Sequence, residues 1–154
     1  MTESGPILIA YDGSDHARAA IAAAGAVLAT GPAVVACAWA PIASSAPVAR
    51  LGAPAAVASV GAERLDAAAR ERAEGLAEEG AALAREAGFD AEARAVEGEG
   101  SAWHALVRCA DELAAPVVVT GTRGRSALAA AVIGSTAQGL LNHAGRPVLV
   151  VGRD

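Results

Sequence analysis

A chain of 154 residues with a net charge of −5 is long enough for one domain with its own core, and its acidity argues against a nucleic-acid partner, which calls for a basic surface. The composition is 54% hydrophobic but only 3% aromatic, and no apolar run reaches the length of a membrane span. All 12 basic residues are arginines, which excludes any mechanism that requires a lysine. Cys37 and Cys109 lie inside apolar segments and read as buried reduced thiols, too few and too scattered for a zinc site or a disulfide framework. Met1 to Pro6 carries no basic leader and no cleavage signature, so a cytoplasmic location is expected.

In chain order, Ile7 to Tyr11 is a short continuous apolar run, expected to be a strand buried on both faces, and it ends at Asp12-Gly13-Ser14. Ser14 or Asp15 can cap an Ala-rich helix to about Ala29, stopped by Gly31-Pro32. Ala33 to Ala40 is a second apolar strand. Pro41 to Gly61 holds three prolines with several Ser and Gly, and reads as a long loop. From Ala62 to Ala87, Leu65, Ala69, Arg72, Leu76, Glu79 and Leu83 keep the spacing of an amphipathic helix, ended by Gly88. Asp90 to Val96 alternates like a strand with one solvated side. Ser101 caps a helix through Leu113, Val117 to Thr120 is a β-branched strand, Ser135 to His143 a helix, and Pro147 to Val151 the last strand. Strictly alternating strands and helices predict an α/β architecture, a parallel sheet covered on both faces, in a single domain over 1–154.

Ligands of open parallel sheets bind beyond the carboxyl ends of the strands. The loop after the fourth strand is the most informative: Gly121-Thr122-Arg123-Gly124, then nine residues, then Gly134-Ser135 opening a helix. Glycines at 121 and 124 let backbone N–H groups converge on an anion, the helix start favours a phosphate, and Arg123 adds a permanent charge. The plainer alternative is that the glycines turn the chain and Ser135 caps the helix. Asp12 can accept hydrogen bonds from a ribose hydroxyl or adenine amine, or can simply complement the dipole of the helix that follows it. Glu97 and Glu99 would repel a polyphosphate at the third loop. His16, His104 and His143 share no spacing and read as surface or packing residues; Trp39 and Trp103 read as packing residues, Trp39 with a possible place at a base pocket.

The run G-x-x-G-x9-G-S at 121–135, Val-Leu-Val-Val at 148–151 and the opening Ile-Leu-Ile-Ala-Tyr-Asp-Gly-Ser together resemble the universal stress protein family, over Ile7 to Val151. The resemblance implies an open five-stranded parallel sheet of order 3-2-1-4-5 with helices on both faces, Rossmann-like, and a homodimer. It is to the ATP-binding branch, in which adenine and ribose lie against the positions of Asp12 and Ala38 and the phosphates against those of Gly121, Gly124, Gly134 and Ser135. Ala38 departs from the Val often found there, but that contact is made by backbone. With Arg123 and Thr136 these residues form the candidate nucleotide site, for ATP with Mg2+ bridging its phosphates. In this strand order Pro147 to Val151 is an edge without charge, which suits a two-fold dimer. The expected role is regulation of a stress response with at most slow ATP hydrolysis. A dedicated ATP pyrophosphatase or nucleotidyl transferase would want an S-G-G-x-D-S loop or paired histidines, which Asp12 to His16 does not offer, and no P-loop lysine motif exists. A dimer that works without nucleotide is the remaining alternative.

Overall fold

Strands that are apolar along most of their length fold only where both faces are covered, and the central strands here are of that kind. The computed structural model describes residues 4–41, 55–123 and 133–152. Its elements run β1 (Ile7–Ala10), α1 (Asp15–Val27), β2 (Pro32–Trp39), α2 (Ala55–Glu86), β3 (Asp90–Glu97), α3 (Ala102–Glu112), β4 (Val118–Gly121), α4 (Ser135–His143) and β5 (Val148–Val151). The five strands form one parallel sheet in the order β3-β2-β1-β4-β5, as the family resemblance implied.

Alternation along each strand divides the core into two layers. Ile9, Tyr11, Val35 and Val119 face α1 and α2, which bring Ala17, Ala20, Ile21, Ala24, Ala81 and Ala84. Leu8, Ala10, Val34, Ala36 and Val118 face α3 and α4, which bring Ala105, Leu106, Cys109, Ala110 and Leu140. The alanine-rich composition is thereby explained. Small side chains at helical spacing let four helices lie close on a narrow sheet.

One helix start differs from expectation. The helix placed at Ala62 to Ala87 begins at Ala55, so Gly61, read as loop, lies inside a helix of 32 residues. The run Ala55-Ala56-Val57-Ala58 is strong helix former, and an isolated exposed glycine costs only about 1 kcal/mol. The loop expected over 41–61 is therefore shorter at its carboxyl end, and its residues 42–54 lie outside the described residues. Ser101 occupies the N-cap of α3 without donating or accepting a side-chain capping bond. Among the described residues no helix is long and apolar enough to cross a membrane.

One arginine secures the end of α3 to the start of β5. Arg146 donates to the carbonyls of Ala110 and Ala115, both at 2.8 Å, and of Ala144 at 3.0 Å, and also pairs with Asp111. Carbonyls at and just beyond the carboxyl ends of α3 and α4 thus gain a charged donor.

Candidate functional site

Helices α1, α3 and α4 begin beside the ends of β1, β3 and β4, so their N-termini gather at the carboxyl edge of the sheet. The three differ in what they offer an anion. At α1, Asp12 Oδ1 accepts the Ser14 N–H at 2.9 Å and Gly13 takes φ 81°, a turn that sets Ser14 at the N-cap. Ser14 Oγ then accepts the Ala17 N–H at 3.2 Å, and Asp15 places a carboxylate in the first turn. That terminus is already capped and negatively charged. At α3, Glu97 ends the preceding strand and Glu99 stands in the turn.

α4, like α3, lacks a side-chain cap and an acid in its first turn, but no Asp or Glu lies in the sequence between Gly121 and Ser135. Gly134 is the N-cap, with φ −61° and no side chain to cap with, and the first turn contains no acid. Gly134 N–H donates to Thr122 C=O at 2.6 Å. The next three amides, of Ser135, Thr136 and Ala137, are the donors that an α-helix leaves without an intrahelical partner. Ser135 is exposed and Thr136 half-buried. Arg123, half-buried at the end of β4, makes no hydrogen bond or ion pair among the described residues. Most other described arginines, from Arg18 to Arg146, are paired with a carboxylate.

Ala38 owes its position to β2 outrunning β1. The last paired residues are Ala10 and Ala36, after which only the Tyr11 N–H reaches the Ala36 carbonyl, at 2.9 Å. The Trp39 carbonyl accepts the Gly98 N–H on the opposite side. Since neighbouring residues of a strand aim their backbone groups at alternate sides, Ala38 N–H and C=O point to the side of β1, with no strand there to pair with. Its side chain lies in the layer of α3 and α4. Trp39 is turned to the other layer, beside Cys37, Ala73 and Ala77, so it does not share the Ala38 face.

Asp12, Ala38, Gly121, Arg123, Gly134, Ser135 and Thr136 therefore share one edge of the sheet; Gly124 lies outside the described residues. Gly121 has a packing reason that the sequence did not reveal. A Cβ there would stand 2.8 Å from the backbone carbon and oxygen of His16, so β4 can end against α1 only without a side chain. His16 is the residue that sequence reasoning missed. Read as surface or packing, it lies beside the site, its Nδ1 3.4 Å from Thr122 Oγ1. The available signal was its place two residues beyond the Ser14 cap.

Away from this edge, Tyr11 donates its hydroxyl to Glu79 of α2, and Arg18 donates to both, at 3.2 Å and 2.8 Å. Burial, and then the Glu79 carboxylate, push the Tyr11 phenol above its ordinary range; hydrogen bonds from Tyr11 and Arg18 hold Glu79 below its own. Burial raises the Cys109 thiol, as suits an unreactive core cysteine.

An open, doubly covered parallel sheet with helix N-termini gathered at its carboxyl edge defines a Rossmann-like α/β protein. Within that class the chain belongs to the universal stress protein family, whose model matches residues 4–152. No curated protein matches it. Among solved structures it is similar to the protein MJ0577, at 19% identity and TM-score 0.76, covering 98% of this chain and 97% of that one. It is similar to a universal stress protein in complex with cAMP, at 27% identity and TM-score 0.61, covering 97% and 98%. It is also similar to the universal stress protein from Archaeoglobus fulgidus in complex with dAMP, at 21% identity and TM-score 0.60, covering 95% and 96%. The first and third of these likenesses bear on the fold.

Proposed function

We propose that this protein binds ATP at the carboxyl edge of its sheet and acts as a regulatory stress-response protein with at most slow hydrolysis, the chain 1–154 serving as one nucleotide-binding domain. The observation that carries the reading is the pairing of an uncapped, acid-free helix start at Gly134 with the guanidinium of Arg123, which has no partner among the described residues. Free amides and a positive helix end favour phosphate, and a neighbouring arginine matches it in charge and geometry. Gly121 and Gly124 keep the intervening chain free of side-chain bulk, and Ser135 and Thr136 add hydroxyls. Mg2+, when bound, neutralises and bridges phosphate oxygens. The backbone of Ala38 presents the donor and acceptor that an adenine edge requires, and Asp12 retains acceptor capacity for a ribose hydroxyl. Two free buried thiols accord with a cytoplasmic location.

The dimer belongs to the same proposal. The outer strand β3 exposes Asp90, Glu92, Arg94 and Glu97, charges that discourage further pairing, whereas half-buried β5 carries only Val148, Leu149, Val150 and Val151. A second copy across the edge 147–151 covers that apolar strand.

A second reading is favoured by the relative bound to cAMP: the natural ligand is a nucleoside monophosphate. Calorimetry with ATP, AMP and cAMP separates the two, together with nucleotide analysis of the freshly purified protein after acid release. ATP is expected to bind at least tenfold more tightly than AMP, and Gly134→Val to remove that advantage by placing a branched side chain over the open amides. The backbone at 134 lies in the extended region open to any residue, and circular dichroism checks that the variant is folded. Undiminished ATP affinity in the folded variant would reject the phosphate assignment.

A further inference from the structure

Thr122 joins three elements. Its N–H donates to Val151 of β5 at 3.0 Å, its carbonyl accepts the Gly134 N–H at the cap of α4, and its hydroxyl meets His16 Nδ1 in the first turn of α1 at 3.4 Å. The open end of α4 is therefore held one residue away from an imidazole. His16 is half-buried, and Thr122 is its one hydrogen-bonding partner among the described residues, which leaves Nε2 unengaged. Histidine is the side chain whose ordinary titration falls between pH 5 and 8.

We propose that His16 is a positioning residue for the phosphate end of the site and makes nucleotide binding proton-linked, tightening it as pH falls. The inference rests on the nucleotide-binding reading and adds its regulation. The contact with Thr122 survives titration, because a threonine hydroxyl can donate to neutral Nδ1 or accept from its protonated form. What changes is charge. Protonation adds a cation beside Thr122, the residue before Arg123, within about a Debye length of the proposed anion site. The other groups facing His16 supply a constant background. On its own helix these are Asp15 and Arg18, the latter turned to Glu79. In the loop after β1 stands Asp12, with one oxygen engaged by the Ser14 N–H, and in the loop after β4 stands Arg123. Val148 to Val151 of β5 and the first turn of α4 bring no titratable side chain. Carboxylates and guanidiniums do not ordinarily titrate between pH 5.5 and 8. His104 and His143 lie apart, both against the ring of Trp103.

The test is calorimetry of MgATP binding at pH 5.5, 7 and 8 on the wild type, His16→Gln and His16→Arg, each checked for folding by circular dichroism. The ligand's own titration is common to all three and cancels in their ratio. Wild type is expected to gain about fivefold in affinity over His16→Gln between pH 8 and 5.5, the low end of ordinary coupling between sites. His16→Arg is expected to stay tight and without the extra slope. Equal slopes in wild type and His16→Gln overturn the proton linkage and leave nucleotide binding standing. No binding by wild type at any pH overturns both. Should His16→Gln fail to fold, imidazole NMR of the wild type decides instead. By reciprocity the His16 midpoint rises by roughly 0.7 with MgATP bound, and an unmoved midpoint rejects the proposal.

Discussion

Replacing Arg123 by Gln tests the proposed phosphate site separately from the fold. The guanidinium has no hydrogen-bonded or ion-paired partner among the described residues, so its removal strands no buried group. Thermal stability should therefore stay within about 0.5 kcal/mol of wild type, as for surface substitutions. Binding should not be spared. A hydrogen bond to a charged group contributes about 1.5–3 kcal/mol, or about 10- to 150-fold in Kd, and partial exposure places this residue toward the lower end. A loss of about tenfold for MgATP is expected, with adenosine affinity unchanged because Arg123 stands at the phosphate end. Calorimetry with both ligands and a melting curve give the answer. An ATP affinity equal to wild type, or an equal loss for adenosine, would refute the reasoning.

Arg146 should behave in the opposite way. Arg146→Ala removes the guanidinium donor from the Ala115 and Ala144 carbonyls and one of two donors from Ala110, which keeps the Ala115 N–H, and should cost about 2–4 kcal/mol, lowering Tm by roughly 5–15 °C with ligand affinity at the far edge unaltered. The Asp111 pair adds little, since that carboxylate is 61% exposed. Tyr11 is the protein's 1 tyrosine, so the ultraviolet phenolate band reports it alone. Its midpoint should lie higher in the native protein than in urea, and because the folded value is raised, its contribution to stability is complete below about pH 10 and is lost as pH rises through the native midpoint. Coincident native and unfolded midpoints would contradict the burial argument. In β5, Pro147 and Val151 turn their carbonyls to β4, so the Val150 N–H faces the open edge. Val150→Pro should leave the β4 pairing intact and convert a sedimenting dimer to monomer; an unchanged dimer would place the interface elsewhere.

The strand and helix order was legible because each strand here is an uninterrupted apolar run or an alternating one, and α1, α2 and α4 are followed by stops at Gly31, Gly88 and Gly145, with Pro116 after α3. Helix α2 was cut short because Pro54 and Gly61 are ordinary loop signals, outweighed by the alanines between them. The edge shared by Asp12, Ala38 and Gly134 followed from the rule for parallel sheets, which needs only the element order. What depends on distant chain segments could not be read. His16 meets Thr122 across 106 residues, and Arg146 meets Ala110 across 36. Gly121 shows both cases at once: its position was legible, while its approach to the His16 backbone was not.

The choice of helix also has a physical logic. Dinucleotide-binding sheets set their pyrophosphate on the helix after the first strand, where a glycine-rich turn leaves the amides open. Here that place is closed twice, by the Ser14 side chain over the Ala17 N–H and by the Asp15 charge. A serine cap is worth about 1 kcal/mol to its helix. Helix α4, of 9 residues, forgoes a side-chain cap, although it is among the shorter helices and would profit most from one. Its amides are held in place from outside instead, through the Gly134 N–H on Thr122 and through Leu140 in the core. A terminus that is rigidly placed yet left uncapped is organised for a ligand before the ligand arrives, so little ordering cost falls on binding. The chain thus keeps a serine side-chain cap on α1 and leaves α4 without one, where on the proposed reading a phosphate takes its place.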